Sequence, residues 1–124
     1  MKDPRRLKPE QRLRRQSSFK TLVEKGNFAR GTFFYIWAIA RAALGEASGE
    51  KASIGIVVNK KALPRATDRN LVKRRVREIF RLRQSGLKTD VAILVKFREG
   101  KKIPGTRDAE RDLEELFKKA GATP

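Results

Sequence analysis

The sequence predicts an α+β fold, a two-layer α/β sandwich whose helices pack on one sheet, with the element order α-β-β-α-β-α. Three short segments have the β-branched and aromatic composition of strands, at 32–40, 53–59 and 90–97. Three others carry apolar residues at helical spacing, at about 18–25, 69–83 and 107–120. The length of 124 residues suits a single domain covering 1–124.

The N-terminal part is predicted to be a flexible basic arm followed by a short helix. Residues 1–16 contain seven basic residues and two prolines, which is typical of an unstructured arm. Ser17 or Ser18 can cap the helix that follows, and Gly26 can end it.

The first predicted strand is apolar or aromatic on both faces. With a period of two, Phe33, Tyr35 and Trp37 share the face opposite to Phe34 and Ile36. We expect one face to enter the core and the other to form a platform. Aromatic rings beside a basic helix would offer stacking surfaces to unpaired bases. A core position is the alternative for these rings, most of all for Phe33.

The second half of the chain predicts a parallel βαβ unit and a last helix. A basic loop follows the strand 53–59, Thr67 or Asp68 can cap the next helix, and Ser85-Gly86 ends it. The strand 90–97 is predicted to join the sheet, and the helix 107–120 is predicted to pack on it. The acids of the last helix could suggest a two-metal nuclease, but helical spacing scatters them, so a solvated helix face is the favoured interpretation.

The middle helix predicts a surface that binds anions. From Arg69 to Arg81 the sequence has six basic residues and one acid among thirteen positions. At about 100° per residue, apolar residues fall on one side and the polar residues share an arc of about 140° on the other. This basic stripe consists of Arg69, Asn70, Lys73, Arg74, Arg77 and Arg81. Like charges at i,i+4 repel one another, so a helix that keeps several such pairs is expected to use them.

The composition narrows the function further. The net charge is +17, which favours a polyanionic partner, nucleic acid before an anionic membrane surface. No apolar run approaches the roughly 20 residues that span a bilayer. The chain has no Cys and no His, which excludes disulfides and thiolate metal sites and argues against a self-contained hydrolase.

Three segments resemble the protein subunit of bacterial ribonuclease P. The string Arg69-Asn70-x-x-Lys73-Arg74-x-x-Arg77-Glu78 is similar to the signature of that family. Gly55-Ile-Val-Val-Asn-Lys60-Lys61 and Arg12-Leu-Arg-Arg-x-x-x-Phe19 also resemble it, so the likeness spans about residues 12–120. Leu71 stands where the family has Arg, but it lies off the basic stripe by helical geometry.

The resemblance implies a role beside a catalytic RNA that removes the 5′ leader from precursor tRNA. The RNA would hold the Mg²⁺ ions and perform the chemistry, and the protein would bind no cofactor tightly itself. The protein would be monomeric in a 1:1 complex with that RNA, in the cytoplasm and away from membranes, and would raise metal affinity indirectly. The family fold also implies a left-handed βαβ crossover, against the general right-handed rule.

The resemblance also assigns residues to three surfaces. The catalytic RNA would meet the basic loop and the basic stripe, which comprise Lys60, Lys61, Arg65, Arg69, Asn70, Lys73, Arg74, Arg77 and Arg81. The leader would lie in a cleft between the first helix and the sheet, lined by Phe19, Val23, Tyr35 and Trp37. Many relatives have an aromatic residue where this chain has Val23. The basic arm would contribute Arg12, Arg14 and Arg15.

Two other functions fit the charge and the fold. A ribosome-associated RNA-binding protein would co-purify with ribosomal RNA, whereas a ribonuclease P subunit would co-purify with the ribonuclease P RNA. A protein-only nuclease would require metal-dependent cleavage by the purified chain without any RNA.

Overall fold

A computed structural model of the protein describes residues 16–45 and 52–124. Its three helices and four strands are α1 (Gln16–Lys25), β1 (Asn27–Arg30), β2 (Phe34–Ala40), β3 (Ser53–Val57), α2 (Ala66–Arg83), β4 (Val91–Phe97) and α3 (Thr106–Lys119). Short 3₁₀ turns follow β2 and α2. Within the described ranges, no helix combines the length and the apolar composition needed to cross a bilayer.

The observed element order is α-β-β-β-α-β-α, because β1 is a strand that the sequence did not predict. β1 has only four residues, and Ala29 is the only one of them that is buried. It is a strand because it pairs with β2 over its whole length. Such pairing depends on tertiary structure, and four residues are too few for a period-two pattern to predict a strand.

Two predicted helix caps are wrong. α1 begins at Gln16, ahead of Ser17 and Ser18. α2 begins at Ala66, so Thr67 and Asp68 lie inside its first turn, and Arg65 precedes it without a side-chain capping bond. Asp68 still favours this end of the helix, because a carboxylate near the N-terminus interacts well with the helix dipole.

The four strands form one mixed sheet in the order β1-β2-β4-β3. β2 runs antiparallel to both β1 and β4. β3 runs parallel to β4, so the chain from β3 through α2 to β4 is the predicted βαβ unit. The α+β class is therefore confirmed, and the left-handed sense of the crossover stays a prediction.

Helices α2 and α3 cover one face of the sheet and enclose the main core. Alternate strand residues point into it, including Phe34 and Ile36 of β2 and Ile93, Val95 and Phe97 of β4. The helices contribute Val72, Val76, Ile79, Phe80, Leu113, Leu116 and Phe117. This is the helical layer that the apolar spacing of the two longer helices predicted.

Helix α1 lies on the opposite face and covers only part of it. Leu22 is fully buried against Ala92 and Leu94 of β4. Phe19 and Trp37 are partly buried beside this small cluster. Leu22 is the one fully buried side chain described for α1, and Tyr35, Trp37 and Lys96 on this face remain partly exposed.

The β1–β2 turn is held by a buried carboxylate from α3. Asp112 Oδ1 accepts a hydrogen bond from the Thr32 amide at 2.8 Å, and Oδ2 accepts from Phe33 and Phe34 at 2.9 and 3.2 Å. A Cβ atom at Gly31 would lie 2.5 Å from Asp112 Oδ1, so the close approach requires glycine there. Three amides thus stabilise one buried charge and fix the hairpin on α3.

Replacing Asp112 with Asn should destabilise the fold. Asn offers one acceptor oxygen instead of two and brings N–H donors toward backbone amides, so at least one buried amide loses its partner. Such a loss typically costs about 1–3 kcal/mol, which urea unfolding would measure.

The matched control is Glu115→Gln, the same chemical change at an exposed position of α3, which should alter stability by less than about 0.5 kcal/mol. Equal effects of the two substitutions would show that the Asp112 bonds add nothing to stability.

Candidate nucleic-acid interface

Helix α2 has the predicted division into an apolar and a basic side. Val72, Val76, Ile79 and Phe80 are buried in the core. Asn70, Arg74 and Arg77 are exposed, and Lys73 is half-buried. Within residues 16–45 and 52–124, Lys73, Arg74 and Arg77 form no ion pair. Their charges are therefore available to an external anion.

The two ends of the basic stripe are already engaged within the protein. Arg69 Nη1 donates hydrogen bonds to the carbonyl oxygens of Leu63 and Pro64, at 2.9 and 2.8 Å. Arg81 pairs with Glu78, and its Nε lies 3.1 Å from Glu78 Oε2. Arg69 thus fastens the preceding loop to the helix, a role that helical spacing alone could not distinguish from anion binding.

The basic loop between β3 and α2 presents the three predicted cations to solvent. Lys60, Lys61 and Arg65 are all exposed. The loop is ordered by the Asn59 carbonyl, which accepts hydrogen bonds from the amides of Ala62 and Leu63, each at 3.1 Å. The predicted arm residues Arg12, Arg14 and Arg15 lie outside the described residues.

A groove runs between α1 and the sheet, and three of the four predicted cleft residues line it. They are Phe19, Val23 and Trp37. The groove has a volume of about 440 Å³, within the range of sites that bind small organic groups.

The polar lining of the groove was not predicted from the sequence. It consists of Lys20, Glu24, Asn59 and Lys96. Lys96 lies between Val95 and Phe97, which point into the main core, so the period of two could have placed it on the opposite face.

Tyr35, the fourth predicted cleft residue, lies beside the groove in a cluster of aromatic rings. Its ring centroid is 6.2 Å from that of Trp37 and 5.6 Å from that of Phe28 on β1. The Arg98 guanidinium lies over the Tyr35 ring, with Cζ 5.1 Å from the centroid. Phe28 was not predicted as a site residue, because β1, the strand on which it lies, was not predicted.

The period of two placed Phe33 on the wrong face, and its alternative, a core position, is confirmed. Phe33 packs against the main core instead of sharing a face with Tyr35 and Trp37. It precedes β2, in the turn whose amides bind Asp112. The turn breaks the alternation of the strand, so the period of two cannot be extended back to Phe33.

The aromatic groove and the basic stripe lie on different sides of the sheet. The groove is on the face that α1 partly covers, and α2 packs on the opposite face. The expectation that the rings lie beside the basic helix is therefore wrong. The loop from Asn59 to Arg65 connects the two surfaces, since Asn59 lines the groove and Arg65 precedes α2.

Three acids of α3, Glu110, Asp112 and Glu114, serve the fold. Arg83 at the end of α2 pairs with Glu110 and lies 3.2 Å from Glu114. The hydrogen bond to Glu110 raises the pKa of the Arg83 guanidinium, and this contact joins α2 to α3. Asp112 binds the β1–β2 turn. Among the described residues, no three acidic side chains come together as a metal site would require.

Comparisons with known proteins identify the family of this chain. Residues 7–121 match the family described as Ribonuclease P. The ribonuclease P protein component of Pseudanabaena sp. is 33% identical over 114 residues, which cover 92% of this chain and 94% of that protein.

Two solved structures share the fold. The RNase P protein from Staphylococcus aureus has a TM-score of 0.77 at 24% identity, over 92% of this chain and 98% of that one. The RNase P protein from Thermotoga maritima has a TM-score of 0.72 at 27% identity, over 86% and 96% of the two chains. The family match decides against the ribosome-associated alternative. The chain belongs to the ribonuclease P protein family and is a protein subunit of the endoribonuclease that processes the 5′ end of tRNA.

Proposed function

We propose that this subunit binds the catalytic RNA through α2 and the basic loop, and holds the single-stranded 5′ leader of precursor tRNA in the groove beside α1. One observation carries the proposal. The protein has two separate surfaces of different chemistry, one cationic without aromatic rings and one that combines rings with a few cations.

The basic stripe suits the phosphates of a folded RNA. Lys73, Arg74 and Arg77 are anchored on a rigid helix whose other side is buried in the core. Phosphate contacts of this kind position a protein without reading sequence. Asn70 adds a neutral donor and acceptor in the same stripe, able to bond a ribose or a base edge.

The groove suits unpaired nucleotides. Trp37 and Phe19 supply flat apolar surface, and stacking of a base on an aromatic side chain tolerates any sequence. Lys20 and Lys96 lie at the same groove and can contact the backbone phosphates. Only the precursor carries leader nucleotides, so a groove of this kind favours the substrate over the mature product.

The catalytic centre belongs to the RNA in this proposal. In this proposal the RNA-containing holoenzyme uses Mg²⁺, and Glu110, Asp112 and Glu114 of α3 hold the fold together. We propose that one protein binds each catalytic RNA. The complex acts on precursor tRNA in the cytoplasm. The protein's contribution is to bind both RNAs and to bring the leader to the catalytic RNA.

Replacing Arg74 or Arg77 with Ala should weaken binding to the catalytic RNA and flatten its dependence on salt. Each lost phosphate contact should reduce the log–log slope of affinity against salt by about 0.7–1. Filter binding of the protein to the catalytic RNA over a range of salt concentrations measures the slope.

The control is Arg111→Ala, which removes an equal charge from an exposed position of α3. The slope should then remain that of the unmodified protein. If all three substitutions flattened the slope equally, binding would follow net charge, and the basic stripe would have no special role.

Replacing Trp37 with Leu should reduce the preference for precursor over mature tRNA. Leu keeps apolar contact with the cluster around Leu22 but removes the stacking surface, which is worth about 1–3 kcal/mol per base. The ratio of the two tRNA affinities, measured with the reconstituted holoenzyme, should fall by about fivefold or more.

Leu82→Ala provides the comparison, because Leu82 is an exposed apolar residue on α2, across the sheet from the groove. It should leave the ratio unchanged. A folded Trp37→Leu protein with an unchanged ratio would mean that Trp37 only packs in the small cluster around Leu22 and that the leader groove is wrong.

A further inference from the structure

The aromatic residue that the structure leaves most open lies outside the groove. Phe28 on β1 is 52% exposed. Among the residues described, the other large apolar side chains that are exposed are Val23, at 51%, and Leu82, at 42%. Val23 lines the groove, but Phe28 does not. A phenylalanine this open gains little from burial, and its ring is accessible to a binding partner.

Phe28 is held in place by its neighbours even though it is exposed. Its ring centroid lies 5.2 Å from that of Trp37 and 5.6 Å from that of Tyr35. Strand pairing places Phe28 directly opposite Trp37 and places Arg30 opposite Tyr35. Trp37 therefore borders two surfaces, the groove on one side and an aromatic shelf, formed by Phe28 and Tyr35, on the other.

The two rings of the aromatic shelf differ in their contact with Arg98. Its guanidinium lies over Tyr35, and its Nη1 donates a hydrogen bond to the Gly31 carbonyl at 2.7 Å. Tyr35 is thus covered in part by a cation that is tied to the β1–β2 turn. Phe28 has no such cover among the described residues and presents its ring to solvent.

The charge around the aromatic shelf is positive. Arg30 and Lys96 flank Tyr35 on the same sheet face, by their register in β1 and β4. Along the described strands, the residues of this face include no Asp or Glu. An open ring bordered by cations is complementary to a base joined to phosphates.

We propose that the aromatic shelf is a second stacking position for an unpaired nucleotide of the leader, next to the groove and continuous with it through Trp37. The proposal rests on the proposed leader groove and extends it. The groove holds one part of the leader, and Phe28 stacks on a base beyond that part. Arg30 and Lys96 contact the phosphates beside it.

A nucleotide fits the shelf better than a second copy of the protein does. Two copies would bring chains of +17 together and oppose their Arg30 and Lys96 side chains, and like charges at an interface repel. β1 has only four residues, so its free edge offers few backbone groups for pairing with another chain.

The test is a series of precursor tRNAs whose leaders lengthen by one nucleotide at a time, bound to the reconstituted holoenzyme. The affinity of the unmodified protein should rise until the leader fills both the groove and the shelf. Phe28→Ala and Phe28→Leu should stop gaining affinity at a shorter leader, and should bind the longest precursor about fivefold or more weakly. Phe28→Tyr keeps the ring and should follow the unmodified protein.

Two further variants separate this proposal from the leader groove itself. Trp37→Leu should lower affinity already for the shorter leaders, and Leu82→Ala should change none of them. If Trp37→Leu has no effect, the leader groove is wrong. If Trp37→Leu acts but Phe28→Ala and Phe28→Leu match the unmodified protein, the groove stands and the shelf is wrong.

Two other outcomes would also overturn the shelf. One is an equal loss at every leader length with Phe28→Leu, which would indicate a general change in the fold. The other is self-association of the free protein, seen by sedimentation, that Phe28→Leu abolishes. In that case a second copy of the chain occupies this face.

Discussion

The alternation of β2 is the constraint on which both the core and the candidate RNA surface depend. Successive side chains of a strand point to opposite faces, so seven residues serve two purposes. Phe34, Ile36 and Ala38 are buried under α2 and α3, and Tyr35 and Trp37 face the side of α1. A shift of β2 by one residue would exchange the two sets. The Asp112 bonds to the β1–β2 turn oppose such a shift.

Local patterns predicted a large part of this structure. The side of α2 that is buried follows from the 3.6-residue period, and the two faces of β2 follow from the period of two. Both depend only on neighbours in sequence, which is why Arg74, Arg77 and Trp37 were placed correctly on their elements. The βαβ unit followed from the order of strand and helix signals.

The features that the sequence did not predict depend on contacts that local periodicity does not encode. β1 is a strand only because β2 pairs with it, and Phe28 was missed with it. Phe33 leaves the alternation because Asp112, 79 positions away, binds its amide. Arg69 has the spacing of an anion-binding residue but bonds the carbonyls of its own loop. No periodicity in the sequence reports such bonds.

The distribution of charge explains how a chain of +17 keeps a free cationic surface. Several of its few acids neutralise particular groups of the fold. Glu110 and Glu114 pair with Arg83 where α2 meets α3, and Asp112 is surrounded by amides. Arg74 and Arg77, in the middle of the basic stripe, have no such partner within the described chain. The repulsion that remains there is what a bound RNA phosphate would relieve.

The division of labour between the two surfaces can be tested most directly by crosslinking in the assembled holoenzyme. A photoreactive uridine is placed at single leader positions of precursor tRNA, and the crosslinked peptides are identified by mass spectrometry. We expect leader crosslinks to the sheet face and α1, in residues 19–24 and 28–37. Leader crosslinks confined to α2, with none on the sheet face, would contradict it.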